Sequence, residues 1–235
     1  MLTLFRSLFF NAAFYILTPI YMLIFLPGTY VWGRKYTFWV FKTWAKGVVL
    51  FVRLICGLRH NVSGLDNLIY TLQQGPCIIA CKHQSAWETI IFPLYVERFV
   101  IVLKDSLLSV PLFGNYLKKL GSIGLDRSQG IASIKKLMRE GKKARDDNFS
   151  LLIYPEGTRS ATGEVKDLNP GVAALYESLK VPLIPVYLNA GLFWPRKSFV
   201  KKPGIINIHF HEPIMPGLDR VEFLNMLKYM INKPS

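Results

Sequence analysis

The first 65 residues contain no aspartate or glutamate. The whole 235-residue chain has 15 acidic residues against 29 lysines and arginines, a formal net charge of +14 at pH 7. Such an excess points to a polyanionic partner: nucleic acid, an anionic membrane surface or a phosphorylated substrate. Cysteine is scarce, with only Cys56, Cys77 and Cys81. An odd, sparse set in apolar surroundings argues against a disulfide framework and suits a reducing compartment. Cys77, Cys81 and His83 would share one face of a strand, but no second cluster completes a zinc site. Buried strand cysteines are the plainer reading, and no metal is expected. No Gly-x-Ser-x-Gly elbow is present, and Ser85 stands too close to His83 to be an obvious nucleophile, so a serine hydrolase is disfavoured. Aromatic residues gather near the N-terminus instead of interleaving with the basic runs, which speaks against a nucleic-acid stacking platform. Internal repeats, low-complexity tracts and long linkers are also missing.

What the chain has in quantity is apolar sequence, 51% of it. Between Arg6 and Arg34 nothing is charged. That stretch is long enough to cross a bilayer as a helix, but Pro19 and Pro27-Gly28 interrupt it, so a kinked or re-entrant helix is also open. It lacks a clear small-x-small cleavage site and resembles a signal peptide only weakly. From Tyr36 to Leu58, Lys42, Lys46 and Arg53 fall on one helical stripe. Phe38, Trp39, Phe41, Trp44, Val48, Val49 and Phe51 fill most of the rest. This reads as a segment lying in the membrane interface and favouring anionic lipid. The alternative is a pair of core helices in a soluble protein.

Beyond Leu58 short apolar runs alternate with amphipathic helices. Strands are expected over Pro76–Cys81, Phe99–Leu103, Ser122–Leu125, Ser150–Tyr154, Leu183–Leu188 and Ile205–Phe210. Helices are expected over Ala86–Val96, Ile131–Arg145, Gly171–Leu179 and Val221–Ile231, with short helical pieces before Leu120. The pattern predicts an α/β fold, a sheet core flanked by helices. Residues 1–57 would form a two-helix membrane motif and 58–235 a catalytic domain.

Two polar blocks follow apolar strands directly, where ligands bind in open α/β sheets. The first is Lys82-His83-Gln84-Ser85-Ala86-Trp87-Glu88. His83 is suited to proton transfer near neutral pH, and Glu88, if the turn folds back, could orient its imidazole as the third group of a triad does. A surface histidine beside a capping cluster is the other reading. The second is Tyr154-Pro155-Glu156-Gly157-Thr158-Arg159-Ser160, an open loop offering hydroxyl and guanidinium donors for phosphate, or else an ordinary solvated loop.

In this order and spacing, the blocks resemble the glycerolipid acyltransferase family that includes 1-acylglycerol-3-phosphate acyltransferases, bacterial members in particular. Two further blocks support the likeness: Gly121 to Arg127, and Val181-Pro182-Leu183-Ile184-Pro185-Val186. Lys104 also matches a lysine usual in the family. The likeness runs from about Leu58 to the C-terminus, and four ordered blocks are specific where one would be weak. It implies transfer of a fatty-acyl group from acyl-CoA or acyl-carrier protein to the sn-2 hydroxyl of 1-acyl-sn-glycerol 3-phosphate (lysophosphatidic acid). His83 would be the base and Glu88 its support. Arg127, Lys104 and Arg159 would bind the acceptor's phosphate, and Glu156, Gly157 and Thr158 would shape that pocket. No cofactor beyond the thioester and no nucleic acid is implied. The acid is Glu88 where the family most often has Asp. Asn169-Pro170-Gly171 stands where the family often has Lys before Gly, leaving one phosphate contact to come from elsewhere, with Lys166 as the candidate. Lyso-ornithine lipid or a lysophospholipid with a larger head group are rival acceptors, and a non-catalytic protein of anionic membranes is the rival class.

Two basic groups remain: Lys118, Lys119, Lys135, Lys136, Arg139, Lys142, Lys143 and Arg145, then Arg196, Lys197, Lys201 and Lys202. They suit an anionic lipid surface or an acidic carrier protein, or are solvated faces. If the chain is bacterial, the site is expected on the cytoplasmic side of the inner membrane, where thioester donors are made. Acyl-chain length would depend on the depth of a tunnel between the sheet and the N-terminal helices.

Overall fold

The computed structural model describes residues 1–234, and the side chain of Arg127 lies outside the described residues. It opens with a helical hairpin. Helix α1 (Leu2–Val31) turns at Trp32 into α2 (Gly33–Cys56). The two run antiparallel along their whole length: Trp44 Nε1 donates to Thr18 Oγ1, Tyr21 meets Thr43 and Val40, and Cys56 lies near the Arg6 carbonyl. At the tight end Gly28 lies against the Tyr36 ring, 2.5 Å from where a Cβ would sit, so no larger residue fits without displacing the ring. α2 closes on Gly57 at φ 67°, whose N–H returns to Arg53 and Val52 carbonyls, a left-handed cap suited to glycine.

The two helices differ in what covers them. α2 buries Val40, Phe41, Trp44, Ala45, Val48 and Val52, spaced at helical period, in the core. At roughly 1.5–3 kcal/mol for each large apolar side chain, this face fixes α2 to the sheet. Its outer side shows Trp39, Leu50, Phe51 and Leu54 with Lys46 and Arg53, while Lys42 pairs with Glu97 at 2.9 Å. α1 buries only Ser7, Phe10, Asn11, Met22, Gly28 and Thr29, and leaves a run of large apolar side chains exposed, Phe5, Phe9, Ile16 and Leu23 among them. It is the one described helix long and apolar enough to cross a membrane. An apolar exterior of this size marks a surface for a membrane or for another protein.

The hairpin lies on a seven-stranded mixed sheet. Its strands are β1 (Leu58–Ser63), β2 (Ile78–Cys81), β3 (Phe99–Lys104), β4 (Ile123–Leu125), β5 (Ser150–Ile153), β6 (Leu183–Leu188) and β7 (Gly204–Phe210), in the order β1-β7-β6-β2-β5-β3-β4. All pairs are parallel except β6 with β7. β2 is central and buried on both faces, so it reads as unbroken apolar sequence. Alternation sends Ile79 and Cys81 toward α2, and Ile78 and Ala80 toward the opposite layer. The first layer holds α2, α3 (Leu65–Gln74), α4 (Trp87–Ile91) and α5 (Phe113–Lys119), with α1 outermost. The second holds α6 (Ile131–Asp146), α7 (Pro170–Leu179) and α8 (Arg220–Asn232).

The fold class is the expected one, with local differences. β1 and α3 were not anticipated: β1 is an edge strand of mixed polarity, Leu-Arg-His-Asn-Val-Ser, whose pairing with β7 decides its state. The helix expected over Ala86–Val96 stops at Ile91 and tightens into a 3₁₀ turn at Phe92–Leu94, because Pro93 cannot supply the next helical N–H. The central basic group is divided between the layers. Lys119 reaches α1, over the Tyr30 ring and toward the Thr29 carbonyl, whereas α6 carries its exposed lysines on the opposite layer. All three cysteines are free and buried.

Candidate active site

β2 delivers the chain to the middle of the sheet's edge, and the segment 82–86 turns sharply before α4 begins. Glu88 sits in the first turn of α4, fully buried, and folds back over this turn. Its Oε1 accepts from His83 Nδ1 at 2.8 Å and from the backbone N–H of Gln84 and Ser85 at 2.7 and 2.6 Å. A carboxylate near a helix start also meets the positive end of the helix dipole. An ionised carboxylate only accepts, so Nδ1 carries the hydrogen and Nε2, on the other edge of the ring, is left to take a proton. The longer glutamate is therefore no obstacle: it serves the imidazole and the turn together. Ser85 is fully buried and its Oγ accepts from Trp87 N–H, so it is tied up as a structural group.

A second buried carboxylate holds the same histidine by its main chain. Glu156 Oε2 accepts from His83 N–H at 3.0 Å and from Ser160 Oγ at 3.1 Å, while Ser160 N–H donates to the His83 carbonyl at 2.7 Å. The second polar block is thus stitched to the first. Burial pushes the Glu156 carboxyl above its ordinary value, against the opposing pull of the His83 N–H, Lys82 and Ser160. Lys82 is buried in turn, bonded to Asn232 of α8 and to the Glu164 carbonyl, and desolvation lowers its pKa. Tyr154 stacks under the imidazole, ring centroids 4.1 Å apart, and its burial raises the phenol well above the ordinary range. The loop turns at Gly157, where φ is 72° and the N–H closes on the Tyr154 carbonyl. A side chain there would be strained.

His83 opens into a cavity of about 700 Å³. Its polar lining includes Lys104, Gly157, Thr158, Arg159, Asn169 and Arg196, and its apolar lining includes Phe14 and Met22 of α1, Phe41 and Trp44 of α2, and Phe113 and Leu117 of α5. The same cavity offers cations that can hold an anion and apolar surface that can hold a hydrocarbon chain, with the base on its lining. The expected residues are placed as follows. His83, Lys104, Gly157, Thr158 and Arg159 share this cavity. Glu156 lies behind its wall. Arg127 begins a short turn after β4, and its side chain lies outside the described residues. Lys166 donates to the Arg159 carbonyl without joining the wall, where Asn169 stands instead. Sequence reasoning gave Tyr154 no role, although it opens the second block. It also grouped Arg196 with a surface patch, since no spacing ties that residue to His83. Among the described residues no three His, Cys, Asp or Glu side chains converge as a metal ion would need.

The acyltransferase family model matches residues 59–189. A 1-acyl-sn-glycerol-3-phosphate acyltransferase of Pseudomonas aeruginosa is 34% identical over 204 residues, covering 81% of this chain and 77% of that protein. One from Saccharomyces cerevisiae is 29% identical over 167 residues, 69% of this chain and 54% of that protein. In fold, the crystal structure of the 1-acyl-sn-glycerophosphate acyltransferase of Thermotoga maritima superposes with a TM-score of 0.79 at 18% identity, over 97% of this chain and 94% of that one. His83, Glu88, Lys104 and the Glu156–Arg159 loop all fall inside the matched stretch, and the chain belongs to the acyltransferase family.

Proposed function

We propose that this protein transfers a fatty-acyl group from a thioester to the sn-2 hydroxyl of 1-acyl-sn-glycerol 3-phosphate, yielding phosphatidic acid. The observation that carries the reading is the His83–Glu88 pair, with His83 on a cavity lined both by cations and by a broad apolar surface. His83 Nε2 takes the proton of the acceptor hydroxyl as its oxygen attacks the thioester carbonyl. The tetrahedral intermediate collapses, the carbon–sulfur bond breaks, and the imidazolium returns its proton to the leaving thiolate. Glu88 steadies the imidazolium while it exists. Lys104 and Arg159, with Arg127, bind the acceptor's phosphate; Gly157 and Thr158 shape that end, and Glu156 positions His83 from behind. The acyl chain lies between α1, α2 and α5. The step uses the chain's own side chains, with acyl-CoA or acyl-carrier protein as co-substrate.

The apolar exterior of α1, paired along its length with a helix fixed to the sheet, suits a hairpin sunk in one leaflet better than an independent span. Lipid substrates would then reach the channel sideways from the membrane. The cytoplasmic face of a bacterial inner membrane fits a thioester donor. The test is acyl transfer to lysophosphatidic acid by membranes bearing wild type or His83→Ala, with the product identified by mass. Phosphatidic acid from wild type alone supports reaction, acceptor and base together. Equal product from folded His83→Ala would sink the mechanism, and transfer only to other lyso-lipids would sink the acceptor.

A further inference from the structure

Tyr154 stands one residue past β5, and β5 pairs with β2, the strand that delivers His83. Neighbouring strands lie about 4.8 Å apart, so a side chain leaving the end of β5 can reach one leaving the end of β2. The phenol ring lies nearly parallel to the imidazole, with centroids 4.1 Å apart and planes at 24°. Both residues line the cavity. The Tyr154 hydroxyl, in contrast, is buried and has no partner among the described residues. Desolvation keeps that phenol protonated, so it is no proton carrier near neutral pH. What Tyr154 presents to the base is the face of its ring.

The two carboxylates leave one motion of the imidazole free. Glu88 Oε1 holds Nδ1 at the edge of the ring, and Glu156 holds the main chain. A hydrogen bond at one edge fixes a distance and a direction, yet the ring can still tilt about the Nδ1–Oε1 line. Tilting swings Nε2, the atom that takes the proton, off its mark. A flat surface stacked on one face blocks that rotation. Misplacement by about 1 Å can cost roughly 100-fold in rate, so a restraint on this angle bears directly on catalysis.

The same face acts electrostatically. An aromatic ring is negative over its face and attracts a cation placed there, more strongly where water is excluded. In the reaction His83 is a cation only while it holds the acceptor's proton. An attraction that grows as the imidazolium forms favours the transition state over the ground state. We propose that Tyr154 is a positioning residue for the base: its ring face fixes the plane of the His83 imidazole and steadies the imidazolium, and its hydroxyl is dispensable. The proposal rests on the acyl-transfer reading above.

The experiment compares wild type, Tyr154→Phe, Tyr154→Leu and Tyr154→Met as full-length protein in lipid vesicles, with a long-chain acyl-CoA and lysophosphatidic acid. Phenylalanine keeps the ring and should hold kcat near wild type. Losing an unpaired buried hydroxyl should leave its melting temperature equal or higher. Leucine and methionine fill the space without a flat face. Their kcat should fall about 10- to 100-fold while both KM values stay near wild type. The stack itself is read without turnover, by NMR of histidine-labelled protein in detergent micelles. The chain has four histidines, and the His83 ring signal is the one lost in His83→Ala. Shielding by the stacked ring should move that signal upfield in wild type and Tyr154→Phe, and not in the leucine and methionine variants. A kcat loss in Tyr154→Phe as large as in Tyr154→Leu would give the role to the hydroxyl and overturn the proposal. So would a wild-type kcat in folded Tyr154→Leu or Tyr154→Met, or a defect confined to the KM for lysophosphatidic acid. A wild type that shows the shielded signal but acylates nothing would overturn the acyl-transfer reading, and the proposal with it.

Discussion

Glu88 and Glu156 grip His83 from opposite ends: the first accepts from the ring at Nδ1, 2.8 Å away, and the second from the main-chain N–H at 3.0 Å. Both carboxylates are buried, and each has one oxygen with no partner among the described residues. They come from different blocks of sequence, so the histidine is held both by its own loop and by the loop proposed to bind the acceptor's phosphate.

The Glu88 contacts separate chemistry from stability. Glu88→Gln retains an oxygen for the Gln84 and Ser85 N–H groups but removes the charge that steadies an imidazolium. A kcat loss of about 10²- to 10⁴-fold is expected, with little change in melting temperature. Glu88→Ala should lose comparable activity and also at least about 2 kcal/mol of stability, because two buried N–H groups then lack an acceptor. Steady-state kinetics beside thermal unfolding will tell. An alanine variant as stable as the glutamine one would show that the turn does not depend on this carboxylate.

Glu156 predicts a pH dependence. Its folded-state carboxyl sits above the ordinary carboxylate value because burial disfavours the charge. The folded protein therefore holds this proton more tightly than the unfolded chain. The stabilisation is complete below the unfolded value and is lost as pH rises through the raised one. Glutamine cannot ionise and keeps an oxygen for His83 N–H and Ser160 Oγ. Melting curves taken from acid to neutral pH should show Glu156→Gln gaining on wild type as pH increases. A gap moving the other way would mean that attraction to Lys82 outweighs desolvation.

The channel predicts acyl-length selection. Leu117 is buried in α5 and forms part of the apolar wall. Leu117→Phe adds a ring where the acyl chain is placed. The optimum should move to shorter chains, with the KM for lysophosphatidic acid changing less, at an overpacking cost of about 1–3 kcal/mol. A panel of thioesters of graded length measures it, and an unchanged length profile in a folded variant would remove Leu117 from the chain's path.

The outer face of α1 predicts membrane attachment. Phe9, Ile16 and Leu23 are each about 60% exposed and one heptad apart, on a common side of the helix. The combined Phe9→Glu, Ile16→Glu, Leu23→Glu variant should leave the core intact and shift the protein from sedimenting with phosphatidylglycerol vesicles to the supernatant. Undiminished sedimentation would place the lipid contact elsewhere, with the exposed cationic residues of α6 as the next surface to alter.

Much of this was legible along the chain. The strand at Leu183–Leu188 has the bounds that its apolar run gives, and the layered α/β arrangement follows from strands alternating with helices. The two polar blocks were readable as candidates because each follows an apolar strand, and the structure places His83, Gly157, Thr158 and Arg159 on one cavity. β1 was not readable, since only pairing with β7 makes a strand of its polar residues. The deeper role of Glu156 was hidden as well. Nothing in the spacing of residues 83 and 156 says that one carboxylate will end beneath the other's main chain.

By itself, then, the sequence determined which residue types stand at the ends of β2 and β5, that the first 57 residues are apolar and cationic, and which segments can be strand or helix. These are local properties, set by side-chain chemistry and the periods of 2 and 3.6 residues. Tertiary structure alone decided that β2 and β5 are neighbours, that α1 lies beside the channel and not apart from it, and that Arg196 reaches the rim occupied by His83. Those relations depend on strand order and helix packing, in which burial of the whole core, and no single stretch of chain, chooses the arrangement.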